Sequence, residues 1–318
     1  MATLGDFPEA FLAVNAVLLG LIFGSFLNVV IHRLPRGENL AHPGSRCPAC
    51  GAKIRAFDNL PVLSWLLLGG RARCCKARIS ARYPLVEACG GLMAWAILRV
   101  VVLELPASTA WWHALLDFLA HLALGLGLLA AAFIDLEHMY LPDEITLGGA
   151  VLGLISLPVR SEVNWREALL GALVGFLIVW LPFDLIYARL RGMPGMGLGD
   201  AKLVLLAGAW FGWRGAVFSL LAGAVQATFV VLLLLIVRGR IEEPKAVQAE
   251  RERMRIALAE APPDERAELE RELALDPLAA APEPGLGKAR LAFGPFLALA
   301  VIEYMLFGDA ITQAILRV

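Results

Sequence analysis

Met196-Gly197-Leu198-Gly199-Asp200-Ala201-Lys202 runs directly into the apolar stretch 203–210, so a carboxylate stands at the mouth of a hydrocarbon-compatible helix. An ionised Asp in such a place costs about 2.5–3.5 kcal/mol on insertion scales, and residues that bear this cost usually line a cavity or carry chemistry. A second carboxylate, Asp135, lies in 131–142 (AAFIDLEHMYLP), again where a long apolar run, 122–134, stops. Whether the two meet decides what the fold is for.

The chain has 318 residues, 59% of them hydrophobic, and a mean hydropathy of +0.69. Its apolar residues come in blocks of membrane-spanning length rather than at amphipathic spacing, which predicts an all-α polytopic transmembrane helix bundle. The expected spans are 11–31, 84–104, 113–134, 144–159, 166–188, 201–212, 215–237 and 291–308, about eight in all. No Lys or Arg precedes the first of them, so it reads as a retained span rather than a cleaved signal. Gly24, Ser25 and Asn28 in that span suit close helix packing or a polar cavity.

The polar stretch 32–82 holds ten basic residues against only Glu38 and Asp58. The positive-inside rule makes it cytoplasmic. Flanked by spans, so basic a loop sets topology and touches anionic headgroups of the lipid bilayer; it does not point to nucleic acid. Counting spans from an outside N-terminus then puts 136–143, 189–200 and 238–290 in the cytoplasm. Arg189 and Arg191 agree, while Arg160, Arg166 and Arg214 fall on the outside. By this count Asp135 and Asp200 lie at the same membrane face.

Two carboxylates held close in a low-dielectric site cannot both ionise, so one activates water while the other donates a proton. Gly197 and Gly199 let a backbone approach beside Asp200. Asp143, after Pro142 and before an apolar run, has the position of a helix N-cap, with Glu144 as the first-turn acid, and it is also a candidate partner of the pair. Capping is the competing role for Asp135 and Asp200 too.

Cys47-Pro48-Ala49-Cys50 followed by Gly51 is a metal-binding knuckle, whereas Arg73-Cys74-Cys75-Lys76 is irregular. Cys47, Cys50, Cys74 and Cys75 together suit a structural zinc ion; a three-cysteine site completed by water or His42, or no metal, stays open. Cys89 reads as a buried apolar residue. The segment 238–290 predicts two short charged helices around Pro262 and Pro263, then a Pro/Gly-rich tail at 282–287, together a solvated linker.

Taken together, GSFLNVVIHRLPRGE (24–38), CPACG (47–51), ISARYPLVE (79–87), DLEHMYLPDEIT (135–146), GMGLGDAKL (195–203) and FGPFLALA (293–300) resemble the type IV prepilin peptidase family. These are bacterial inner-membrane aspartic peptidases with a cytoplasmic active site, serving type IV pilus and type II secretion systems. The resemblance implies cleavage of the basic leader of prepilins and pseudopilins after a Gly, with Asp135 and Asp200 as the catalytic pair and Gly197, Gly199, Lys202 and Asp143 in support. It implies N-methylation of the new N-terminus with S-adenosylmethionine, and contact with pilus or secretion-system assembly components. It divides the chain into a first span (1–32), a cytoplasmic cysteine-rich zinc and methyltransferase-type domain (33–82) and a peptidase domain (83–318) carrying the 238–290 insert.

Aligned back from ISARYPLVE, Cys75 matches the family's last cysteine, Ala72 holds the place of the third, and Cys74 stands where Gly is usual. Either Cys74 replaces the missing ligand or zinc is weakened. Three rivals remain. A peptidase without methyl transfer keeps the aspartates alone. A proton-coupled transporter using Asp135 and Asp200 predicts charged or broken helices near the midplane, or an internal repeat, and neither stands out. A non-catalytic assembly protein predicts that the aspartates are dispensable.

Overall fold

The computed structural model describes residues 2–160, 163–191, 195–239, 245–262, 265–266, 268–270, 273 and 291–316. Among them there is no strand, and six helices are long and apolar enough to cross a membrane. The chain runs through α1 (Glu9–Arg33), a short α2 (Leu63–Leu67), α3 (Arg82–Ile97), α4 (Trp111–His138) and α5 (Asp143–Ile155). It continues through α6 (Trp165–Val179), α7 (Tyr187–Arg191), α8 (Leu198–Arg238), α9 (Lys245–Glu260) and α10 (Gly294–Leu316). Five further residues in π-helical geometry extend α3, and seven more, around Pro182, join α6 to α7. Proline has no N–H to donate, so the ladder widens there.

Eight expected runs become six for two reasons. With 13 residues, α5 is shorter than a lone span of roughly 20. Yet it runs the length of the first arm of α8, from Asp143 at Lys202 to Arg160 at Trp210, so its two ends lie at opposite ends of that arm. The runs 201–212 and 215–237 form one helical stretch broken at Gly212, where φ 68 and ψ −173 belong to glycine alone. The two arms of α8 fold back on each other there. The Val204 carbonyl oxygen and Ala216 Cβ lie 2.4 and 3.2 Å from one point, the place a Cβ on Gly175 would take. Along an unbroken helix those residues would stand about 18 Å apart.

Hydrocarbon gives helices no hydrophobic reason to associate, so close packing must hold them together, and small residues permit it. Two crossings use a glycine repeat of spacing four. On α1, a Cβ added at Gly20 would meet the Gly90 carbonyl oxygen at 2.4 Å, and one at Gly24 would meet Glu87 Cα at 2.9 Å. On α6, a Cβ at Gly171 would meet the Gly208 carbonyl oxygen at 2.4 Å. Asn28 secures the first crossing by donating from Nδ2 to the Tyr83 carbonyl at 3.2 Å. Cys89, expected to be buried, is half-exposed beside it.

Arg160, which fell on the outer side by span counting, is only 6% exposed and locked in place. Its Nη1 and Nη2 donate to the carbonyls of Trp210 and Gly153 at 3.1 and 2.9 Å, and its guanidinium lies 4.2 Å over the Trp210 ring. It closes the end of α5 onto the first arm of α8, a structural task that the inside–outside bias of arginine does not weigh. Charge inside a span is also present, contrary to expectation. On α4, Asp117 and His121 are both buried, with His121 Nδ1 3.0 Å from the Asp117 carbonyl oxygen and 2.9 Å from Asp117 Oδ1. Of the charged insert, α9 forms as expected. The second helix lies only partly within the described residues, and the 282–287 tail lies outside them.

Gly171→Ala should lower unfolding stability by about 1–3 kcal/mol, the usual cost of forcing extra volume into a packed contact. Denaturation of the purified protein in detergent measures this against Gly44→Ala, where a Cβ meets nothing within 4 Å. Equal midpoints would show that the crossing yields freely.

Candidate active site

Asp135 sits in the last turn of α4, and Asp200 is the third residue of α8. Both apolar runs end because the next residues are polar or glycine, so the two carboxylates emerge at helix ends. The fold brings their two helix ends together around Leu141, which contacts both the Gly199 backbone beside Asp200 and the Gly294 backbone that meets Asp135. Asp135 is 6% exposed, and its Oδ2 accepts a 2.9 Å hydrogen bond from the Gly294 N–H at the start of α10. Asp200 Oδ2 accepts from the Gly197 N–H at 3.3 Å, so it does take a capping contact. Asp135 offers only its backbone carbonyl to the local chain, accepting from Met139 N–H at 2.8 Å.

The glycines divide their tasks. A Cβ on Gly199 would meet Leu141 Cβ at 3.0 Å, and one on Gly294 would meet Asp135 Oδ2 at 2.7 Å and Leu141 Cδ2 at 3.1 Å. Leu141 is therefore the buried wedge between the two aspartate-bearing segments. Gly197 is exposed, and the atom nearest its absent Cβ is Asp200 Oδ2 at 3.4 Å, so approach to Asp200 is open on that side.

Asp143 is not the N-cap. Pro142 holds that position and Asp143 is the first helical residue, because Pro142 already supplies the extended backbone from which the helix starts. The Asp143 side chain instead accepts from Lys202 Nζ at 2.6 Å, pinning α5 to the first turn of α8. Arg82 pairs with Glu137 and ties the start of α3 to α4 beside Asp135. Gly294 and Glu137 carried no signal of their own in the sequence beyond their place in quoted motifs, since each acts through a partner far along the chain.

The cysteines form a second centre. Sγ atoms of Cys47, Cys50, Cys74 and Cys75 all lie within 4.8 Å of one another. They come from two turns built alike. Cys47 N–H donates to Ala52 O and Gly51 N–H to Cys47 O, both at 2.8 Å; Ala72 N–H donates to Ala77 O at 2.8 Å and Lys76 N–H to Ala72 O at 2.9 Å. Gly51 and Lys76 occupy matching places with φ of 71 and 60. Ala72 thus holds in the second turn the place Cys47 holds in the first, and Cys74 supplies the sulfur that Ala72 lacks.

Sγ separations are 3.7 Å for Cys47–Cys75, 3.3 Å for Cys50–Cys74 and 3.9 Å for Cys74–Cys75. Four sulfurs 2.3 Å from one tetrahedral ion would stand about 3.8 Å apart, so the donor set fits a metal ion. Backbone N–H groups of Cys50 and Ala49 hold the Cys47 thiol down to about 7, whereas the Cys50 thiol beside Cys74 pushes that group up to about 12. An open cavity of about 550 Å³ adjoins this domain, lined in part by Ser45, Lys53, Arg55 and Asn59.

Two family models match the chain: the bacterial peptidase A24 N-terminal domain over residues 18–101 and the type IV leader peptidase family over 122–233. A prepilin leader peptidase/N-methyltransferase of Pseudomonas putida is 40% identical over 253 residues, covering 72% of this chain and 83% of that protein. Proteins of the same name from Stutzerimonas stutzeri and Pseudomonas aeruginosa are 38% and 37% identical, with 72% and 74% of this chain and 85% of each relative covered. No solved structure matches.

Cobalt(II) added to the purified protein should produce thiolate-to-metal absorption that weakens in Cys74→Ser and returns in the Ala72→Cys, Cys74→Gly double variant. Identical cobalt binding by the wild type and Cys74→Ser would place Cys74 outside the metal site.

Proposed function

The chain belongs to the type IV leader peptidase family, and we propose that it removes the leader of prepilins and pseudopilins by aspartic chemistry at the cytoplasmic face of the bacterial inner membrane, then N-methylates the new N-terminus. The observation that carries this reading is the convergence of Asp135 and the segment of Asp200, from separate helices, around the one buried side chain of Leu141. With one carboxylate ionised and one protonated, the ionised one takes a proton from water as its oxygen attacks the scissile carbonyl carbon. The other donates its proton to the departing amide nitrogen as the C–N bond breaks.

This chain's own groups prepare that step. The Gly294 N–H fixes one oxygen of Asp135, and the Gly197 N–H fixes one of Asp200, which leaves each carboxylate its other oxygen for water and substrate. The Lys202–Asp143 pair holds the first turn of α8 against α5. Exposed Gly197 gives an extended leader access to Asp200, and a leader's basic residues suit an interface position where water is at hand.

The cysteine centre takes zinc in a structural role, ligated by Cys47, Cys50, Cys74 and Cys75, which would cross-link the two turns. S-adenosylmethionine supplies the methyl group, from a sulfonium flanked by an ammonium. Lys53 and Arg55, which line the open cavity, would suit the donor's carboxylate but repel its sulfonium and ammonium, so the charge of this cavity does not select it.

In membranes with matched expression, Asp135→Asn and Asp200→Asn should each abolish cleavage of a prepilin substrate. Cleavage retained by either variant removes that residue from the pair. Gly294→Ala should lower kcat by about 10²-fold, the usual cost of a 1 Å misplacement, while leaving KM nearly unchanged. Transfer of labelled methyl to already mature pilin should persist in all three. A wild type that cleaves but transfers no label would be a peptidase alone.

A further inference from the structure

The cysteine domain carries an apolar surface that neither the sulfur cluster nor the carboxylates use. Phe57, Leu60, Leu63, Leu66 and Leu67 are all exposed, Leu67 by 84%. An exposed cluster of this kind marks an interaction site. The leucines of α2 face outward because the segment's polar groups are tied inward. Ser64 Oγ donates to the Phe57 carbonyl and Trp65 Nε1 to the Ile79 carbonyl, both at 3.1 Å.

Depth decides what covers them. The Val62 N–H, just before α2, donates to Glu87 Oε2 at 2.7 Å. Glu87 is the sixth residue of α3, so it lies about 7–8 Å inside the start of that span at 1.5 Å per residue. Interfacial helices bury their apolar face about 5–10 Å into the boundary between headgroups and acyl chains, the same depth. Val62 makes this contact with φ at 61, which a β-branched side chain rarely tolerates. Leu85 on α3, 55% exposed, belongs to the lipid-facing surface near this segment. Lys53, Arg55 and Arg71 are exposed close by in the chain, with the charge that anionic headgroups attract.

We infer that residues 57–67 are seated in the leaflet where α3 begins, with the leucines among acyl chains and Lys53, Arg55 and Arg71 at anionic headgroups. The cysteine cluster then stands on the membrane surface instead of projecting freely into solution. This placement goes beyond the peptidase and methyl-transfer reading and does not depend on which residues are catalytic.

The test uses the full-length protein carrying a fluorescent non-canonical residue at position 67, in vesicles of phosphatidylcholine and phosphatidylglycerol. Position 41, exposed in the polar part of the loop, serves as the comparison. Acyl-brominated phosphatidylcholine should quench the label at 67 and spare that at 41, and aqueous iodide should do the reverse. Position 63, also exposed on α2, should behave like 67, so the test stands if one labelled chain fails to accumulate. Iodide quenching at 67 equal to that at 41, without quenching by brominated lipid, overturns the inference. Shielding that arises only when a prepilin is added overturns it as well and assigns the surface to substrate.

Discussion

Backbone laid against backbone at a few glycines is the constraint on which the rest of this structure depends. At Gly208 a single added methyl would sit 2.0 Å from the Gly171 carbonyl oxygen, nearer than any real side chain comes. That contact brings α6 against the first arm of α8, and Gly212 lets the second arm return beside it. With α8 held, its first turn is held, and Asp200 with it. Gly20, Gly24 and Gly90 do the same for α1 and α3, on whose ends the cysteine domain is mounted.

Charge at a membrane boundary is stable only when something answers it. Here the answers come from distant parts of the chain: Gly294 N–H for Asp135, Lys202 for Asp143 and Arg82 for Glu137. Each contact also fixes the position of a helix end. The polar groups therefore set the geometry that chemistry needs, while the exposed leucines and phenylalanines of the spans match the surrounding lipid.

Much of this was legible in the sequence. Hydropathy blocks mark the helices, and the apolar runs that stop at Asp135 and start after Asp200 mark both carboxylates as residues of helix ends. The cysteine spacing announced a cluster despite its irregular second half. What escaped was whatever depends on backbone or on long-range pairing. Hydropathy reports side chains, so it gave two runs on either side of Gly212 but not the hairpin that joins them. Asp143 looked like a cap because local pattern cannot see Lys202 arriving from another helix. Arg160 reads in the sequence as a topology signal, whereas in the fold it grips the carbonyls of Trp210 and Gly153. Gly294 has no side chain to advertise, and only the fold shows its N–H aimed at a carboxylate.

The central claim is that Asp135 and Asp200 work as one unit that shares a proton. Its most direct test is the rate of prepilin cleavage by the purified protein as a function of pH. A shared proton predicts a rate that falls on both sides of an optimum, on the acid side as both carboxyls become protonated and on the alkaline side as both ionise. A rate that climbs through the acid range to a plateau and never falls while the protein stays folded would contradict the shared proton, and with it the paired mechanism.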